Sequence, residues 1–489
     1  MSENIDNIKR KTISGLIWRF GERITAQLIS FVVSVVLARI LMPEQYGIIA
    51  IVTIFINIAN VFVTNGLGTS LVQKKEADDL DFSTMFWASL ILSIIVYSIL
   101  FIVAPIIAKI YKNDLLTIVI RVMGIRLPLA AVNSIQQAYI SRKMIYKKFF
   151  FATLFGTIVS AIVGIAMAKL NYGVWALVAQ YLTNVIIDTL VLSATIDWKL
   201  HFKFSIERFK ELFSFGWKIM LTGFIGTLFD QLRGLIIGAR YSSEDLAFNN
   251  KGEQIPTIIA NNINSSMESV LFSSISKVQD DRVAVKNATR RLIKISSFLI
   301  IPMMFGLSAI ASPLVKILLT DKWLFCVPYL RVVCIKECFS ILNTVNLQSI
   351  KAIGRSDISL KLEFIKKPLY LAVILITMSF GPLVICIGNA VYSVLALVIN
   401  IKPNKELIKY TLGELVQDIS VHLIISLIME IIVLLIGVLQ MNIYALLILQ
   451  VLSGATIYIG LSWLFKVESL NYIVNILKEF VRSKIVNEG

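Results

Sequence analysis

Histidine is almost missing from this chain, with two in 489 residues, and cysteine is scarce, with four. All four cysteines (Cys326, Cys334, Cys338 and Cys386) fall in or beside apolar stretches, which excludes a disulfide framework. Cys334 and Cys338 share a helix face. With no histidine or further cysteine at ligand spacing they read as small packing residues, so no metal site is expected. No glycine-rich phosphate loop is present, which excludes ATP hydrolysis by this chain, and no cofactor is expected. Charge is sparse as well. Only 16% of residues are Asp, Glu, Lys or Arg, against 57% hydrophobic, too few for a soluble protein of this length.

What is abundant is apolar sequence, with a mean hydropathy of +0.79. It is gathered into runs of about 18–25 residues, the length a helix needs to cross a hydrocarbon core about 30 Å thick. The chain is therefore expected to be an all-α polytopic membrane protein. About 14 transmembrane helices are expected, at 13–38, 45–66, 83–108, 115–137, 149–169, 174–195, 212–237, 252–273, 292–312, 325–348, 358–379, 382–400, 418–438 and 441–463. The polar start Met1-Ser2-Glu3-Asn4 has no signal-peptide character.

The net charge of +16 is distributed topologically, which argues against a nucleic-acid partner. Of 47 Lys and Arg, 29 fall on one set of alternating segments, 8 on the other set and ten inside the spans, with Lys169, Lys294 and Lys361 at span edges counted with the adjoining segments. The positive-inside rule makes the richer set cytoplasmic, and both termini with it. The outer loops are short, about a dozen residues at most around 239–251. From Val467 to Val486 apolar residues recur at helical spacing (Val467, Leu470, Val474, Leu477, Val481) among Lys478, Arg482 and Lys484. This suggests an amphipathic helix on the inner leaflet.

An internal echo organises the spans. Gly15 precedes Ala38-Arg39 by the interval that separates Gly216 from Ala239-Arg240, and Trp18-Arg19 finds its counterpart in Trp217-Lys218. With the span count, this suggests a six-plus-six plan with a site between two lobes. The expected domains are an N-terminal lobe (1–197), a basic cytoplasmic linker (198–211) and a C-terminal lobe (212–401). Two extra spans (402–465) and a cytoplasmic amphipathic tail (466–489) would follow.

The ten intramembrane cations are the most informative feature. They are Arg19, Arg23, Arg121, Arg126, Lys218, Arg233, Arg331, Lys336, Lys366 and Lys367. A charge at the bilayer centre costs on the order of 3 kcal/mol even on insertion scales, so these cations should face a wet interior suited to an anionic cargo. Some can be neutralised or reach out. Arg19 lies beside Glu22 and Lys336 beside Glu337, Lys366 and Lys367 can extend to cytoplasm, and Arg121 and Arg331 lie in outer halves. Arg23, Arg126, Lys218 and Arg233, with Arg19, remain as candidate substrate-binding cations. Arginine binds phosphate bidentately and keeps its proton.

Polar residues at helical spacing support a shared cavity. Examples are Asn57 and Asn60 in span 2, Asn184 in span 6 and Asn261 in span 8. Single amides can merely glue helices together, but stripes in seven of the first ten spans exceed what packing needs. Asp188, Asp230, Glu268, Glu337 and Glu430 could couple transport to a cation gradient, or could simply neutralise neighbouring cations.

Several stretches resemble bacterial polysaccharide flippases of the Wzx type, especially the colanic-acid-like branch. They are Gly15–Arg39 followed by Pro43-Glu44-Gln45-Tyr46-Gly47, then Glu253–Pro302, Leu319–Leu330, Asn346–Lys367 and Asn400–Tyr410. The similarity runs along nearly the whole chain. One departure is Phe248-Asn249-Asn250, where relatives often have Tyr followed by Asn-Arg. The resemblance implies a MATE-like two-lobe fold of the MOP superfamily. It implies no enzyme but a transporter that moves oligosaccharide on undecaprenyl pyrophosphate from the inner to the outer leaflet of the cytoplasmic membrane, by alternating access. It further implies membrane lipid, a polysaccharide polymerase and a chain-length regulator as partners.

The alternatives are a peptidoglycan-precursor (lipid II) flippase, a MATE-type drug/cation antiporter and a membrane polymerase. Ten cations disfavour cationic drugs, and a polymerase would call for a large soluble domain or long outer loop, which the sequence lacks.

Overall fold

The computed structural model describes residues 2–275, 278, 280–472, 474, 475 and 478. The chain divides into two compact units, Met1–Ala247 and Phe248–Gly489. The described residues are helical throughout, without strands.

The first unit contains α1 (Ser2–Ile40), α2 (Pro43–Thr64), α3 (Leu67–Gln73), α4 (Asp79–Ile110), α5 (Leu115–Gly124), α6 (Arg126–Lys143), α7 (Tyr146–Lys169), α8 (Val174–Thr195) and α9 (Ile206–Arg240). α10 (Ser243–Ile275) begins at the division. The second unit continues with α11 (Arg282–Ala309), α12 (Ala311–Leu319), a short 3-10 segment (Asp321–Cys326), α13 (Val327–Ala352), α14 (Ser356–Thr377), α15 (Pro382–Leu407), α16 (Leu412–Ile436) and α17 (Ile443–Leu464). The division falls after α9, whereas the basic segment 198–211 suggested a boundary before it.

Among the described residues, eleven stretches are long and apolar enough to cross a membrane by length and composition. α10, α13 and α14 are comparably long, at 33, 26 and 22 residues. They carry charges and amides instead, such as Arg331, Lys336 and Glu337 in α13.

Two local features have clear causes. The span expected at 115–137 is split into α5 and α6 at Ile125. Pro128 has no N–H to bond the Gly124 carbonyl, and its ring crowds that oxygen, so the helix breaks four residues upstream. The segment 198–211 is pinned to the first unit. Trp198 is buried against Phe82 and Phe86, while Lys74 bridges Asp81 at 3.0 Å and Glu211 at 2.9 Å. Arg208 reaches Asp78 and Asp81, each at 3.5 Å. The Asp81 backbone N–H, then Arg208, hold the Asp78 carboxyl below the usual carboxylate range despite some burial.

α9 packs on α2 through small residues, the contact that lets membrane helices approach closely. A Cβ on Gly216, Gly223, Gly234 or Gly238 would press on Gly66, Asn65 and Val61, Ile54, or Ile51 respectively, so the two helices run antiparallel. Gly66 is the tightest point. Its φ of +97° is left-handed, and a Cβ there would lie 2.2 Å from the Gly216 carbonyl oxygen. Gly66→Ala should therefore lower stability by about 2 kcal/mol through strain and overpacking combined. A fluorescence melt of the detergent-solubilised protein checks this, and an unchanged midpoint would contradict the packing described.

In the second unit α13 and α15 are joined by an amide ladder. Asn400 donates to Asn343 at 2.8 Å, Asn404 donates to Asn346 at 2.9 Å, and Asn343 donates to the Ser393 carbonyl at 2.9 Å. At the start of the tail, Val467 is buried in a cluster with Phe298, Met429 and Tyr458, and Leu470 packs against it. These two residues thus face protein. Leu477, Val481, Arg482 and Lys484 of the expected amphipathic helix lie outside the described residues.

Candidate functional site

The Pro128 break puts Arg126 at the first position of α6. The Arg126 guanidinium lies 5.8 Å from the Tyr181 ring centroid on α8. Two turns along α8 is Asp188, within electrostatic reach of both Arg126 and Glu22 of α1. Glu22 is flanked by Arg19 and Arg23 and hydrogen-bonds to the Thr153 hydroxyl of α7. Four helices, α1, α6, α7 and α8, thereby converge on one charged cluster.

Gly156 makes the convergence possible. A Cβ at this position of α7 would lie 1.8 Å from Asp188 Oδ1. Only glycine leaves room for the carboxylate between α7 and α8. Asp188 Oδ1 is buried and accepts no hydrogen bond from the described residues. A buried carboxylate oxygen without a donor costs on the order of 1–3 kcal/mol or more, which marks the position as one kept for something other than packing.

The other expected site residues are distributed as follows. Arg19 lies toward the start of α7, with its guanidinium 5.4 Å from the Tyr146 ring centroid. Arg23 is exposed and Asn184 half-buried beside the same cluster. Asn57 and Asn60 are half-buried on α2, where Asn60 also donates to Thr64 within its own helix at 3.4 Å. Lys218 and Asp230 are exposed and Arg233 half-buried on α9, a helix that packs on α2, α3 and α4. Asn261, Glu268 and Glu337 belong to the second unit. Asn261 is exposed, Glu268 accepts from Gln348 at 3.2 Å, and buried Glu337 pairs with Lys336 at 2.8 Å.

Several cations are committed elsewhere. Arg121 lies over the Phe101 ring at 4.1 Å and donates to the Phe101 carbonyl at 3.3 Å. Arg331 donates to the Ser308 carbonyl at 3.3 Å and neighbours Glu430, which hydrogen-bonds to Ser308. Lys366 is buried, with its ammonium 2.6 Å from Glu363 one turn earlier. An ion pair on its own helix satisfies it locally. Sequence reasoning missed Tyr181, Thr153 and Gly156. The available signal was weak, because a tyrosine, a threonine and a glycine in apolar helices are ordinary packing residues.

Residues 36–328, more than half the chain, match a family model described as polysaccharide biosynthesis protein. The chain belongs to the polysaccharide biosynthesis protein family. Its relatives include the succinoglycan biosynthesis transport protein ExoT of Rhizobium meliloti (strain 1021), 22% identical over 68% of this chain and 67% of that one. The lipopolysaccharide biosynthesis protein WzxC of Escherichia coli (strain K12) is 22% identical over 76% of each. Among solved structures the chain is similar to the lipid II flippase MurJ, with TM-score 0.74, 15% identity and coverage of 92% and 98%. It is also similar to an inward-facing multidrug resistance MATE family transporter of the MOP superfamily, with TM-score 0.60, 14% identity and coverage of 79% and 96%. The fold is therefore MurJ/MATE-like, and the resemblance to polysaccharide flippases holds. This member of the family is a multi-pass membrane protein.

Proposed function

We propose that this protein flips oligosaccharide repeat units linked to undecaprenyl pyrophosphate from the inner to the outer leaflet of the cytoplasmic membrane. It does so by alternating access of two lobes built from fourteen spans, with both termini cytoplasmic. The observation that carries the reading is the α1–α6–α7–α8 cluster, in which Arg23 beside Glu22, and Arg126, belong to one electrostatic network with Asp188. A pyrophosphate cannot cross hydrocarbon without charge-assisted partners, and guanidinium groups supply them.

In this reading Arg23 and Arg126 grip the pyrophosphate or an acidic sugar, with Lys218 and Arg233 of α9 as further cations. Asn57, Asn60, Asn184 and Asn261 hydrogen-bond sugar hydroxyls. Asp188 is the leading coupling carboxylate, since its unbonded oxygen can take a proton or cation as cargo leaves. The names of the relatives, transport and biosynthesis proteins of succinoglycan and lipopolysaccharide, support a polysaccharide precursor as cargo.

The test is complementation of a flippase-null strain that accumulates lipid-linked repeat units. The wild-type chain should restore surface polymer. Ala variants of Arg23, Arg126 and Lys218 at wild-type abundance should leave precursor on the inner leaflet. Normal export by all three would overturn the cationic-site reading. Asp188→Asn should slow export and weaken its response to dissipation of the cation gradient, and equal sensitivity in both proteins would remove Asp188 from the coupling role.

A further inference from the structure

A charged cavity opens within the second unit. It has a volume of ≈ 400 Å³ and is lined by Asn287, Arg290, Arg291 and Lys294 of α11 with Ser469 and Tyr472 beyond α17. We propose that it binds the phosphate of a resident anionic phospholipid, a bilayer lipid distinct from the transported cargo. The acyl chain of that lipid lies along the apolar face of α11.

Charge bookkeeping identifies the anchor. Arg290 is held by Asp418 in a two-pronged pair, with Nε 2.9 Å from Oδ2 and Nη2 2.7 Å from Oδ1. Lys294 is held by Glu468 at 2.8 Å, which also neutralises the one carboxylate lining the cavity. Lys286 pairs with Glu414 at 2.7 Å. Arg291 is exposed and has no carboxylate within ion-pair distance among the described residues. Its guanidinium lies 4.8 Å from the Tyr472 ring centroid. Stacking on an aromatic face fixes the plane of a guanidinium and leaves its N–H donors directed outward, the arrangement that suits a phosphate.

The helix itself selects a lipid over a free anion. All the charges of α11 lie between Arg282 and Lys294, and from Ile295 onward it carries none. The face bearing Arg291 and Lys294 continues at helical spacing through Phe298, Leu299, Pro302, Met303 and Gly306. These residues line an adjoining apolar cavity of ≈ 460 Å³ against α16 and α17. A basic pocket at a polar-to-apolar boundary, followed by an apolar furrow along the same helix, matches the charge and amphiphilic shape of a single anionic phospholipid.

Native mass spectrometry of the purified full chain tests the proposal, with added phosphatidylglycerol, phosphatidylcholine or inorganic phosphate. Phosphatidylglycerol adducts should survive at activation energies that strip phosphatidylcholine. Arg291→Ala should reduce the bound fraction by about fivefold, the effect of losing one basic contact to an anionic headgroup. Arg291→Lys should restore most of it. Three results would overturn the proposal: equal retention of both lipids, an unchanged bound fraction in Arg291→Ala, or displacement of the lipid by millimolar inorganic phosphate. The last would identify a free-anion site. Arg291 lies outside the ion-pair lattice, so the thermal midpoint of lipid-free Arg291→Ala should match wild type. Should that midpoint fall, Arg291→Lys alone decides, and a Lys variant that fails to bind phosphatidylglycerol counts against the site.

Discussion

Arg126→Ala is expected to lower polymer export by about ten- to a hundredfold at unchanged protein abundance. This corresponds to losing one or two charge-assisted hydrogen bonds to an anion. Arg126→Lys should recover only part, because an ammonium keeps the charge but not the two-pronged geometry. Three features of Arg126 favour it. It is permanently charged, it opens α6, and its guanidinium lies 5.8 Å from the Tyr181 ring centroid. Asp188 is its electrostatic counterweight. The double variant Arg126→Ala with Asp188→Asn should therefore be no worse than Arg126→Ala alone if the two act as one unit, since coupled residues are non-additive. Surface polymer measured in the flippase-null strain decides this, and full export by Arg126→Ala would remove the residue from the cargo site.

Much of this architecture was legible in the sequence because bilayer length acts on composition alone. Each run of apolar residues became a helix. The errors lie where tertiary structure overrides composition. α11 starts at Arg282, ten residues before the apolar run, because its polar start is held by ion pairs to α16 that no local pattern reveals. Lys366 illustrates the same limit, since its partner Glu363 was in view one turn away while its burial was not.

The candidate site was half legible. Periodicity aligned Arg19 and Arg23 on one face and singled out Arg126 and Asp188. It could not say that α1, α6, α7 and α8 bring them together. Nor could it mark Gly156, whose importance is the absence of a side chain against Asp188. Lys218 and Arg233, equally prominent in sequence, sit on a helix that packs elsewhere, on α2, α3 and α4.

The largest stability effect is expected from Asp418→Ala. Asp418 is buried at 5% exposure on the first turns of α16. Its carboxylate takes both prongs of Arg290, accepts the Tyr410 hydroxyl at 3.1 Å and lies 3.8 Å from Lys294. Removing it leaves the partly buried guanidinium with the longer contact to Glu414 at 3.7 Å and takes the acceptor from a fully buried phenol. Breaking such a pair from one side costs about 3 kcal/mol, whereas replacing both partners by apolar groups can be close to neutral. At about 2–4 °C per kcal/mol for a unit of this size, the melting midpoint of Asp418→Ala should fall by about 6–12 °C. The double variant Asp418→Leu with Arg290→Met should regain a large part of that loss. If the single and double variants melt together, the lattice between α11 and α16 contributes packing alone. The contrast with Arg291, one residue along the same helix, then separates the two uses of charge in this region. Arg290 is consumed in holding the fold, and Arg291 is left over to hold a ligand.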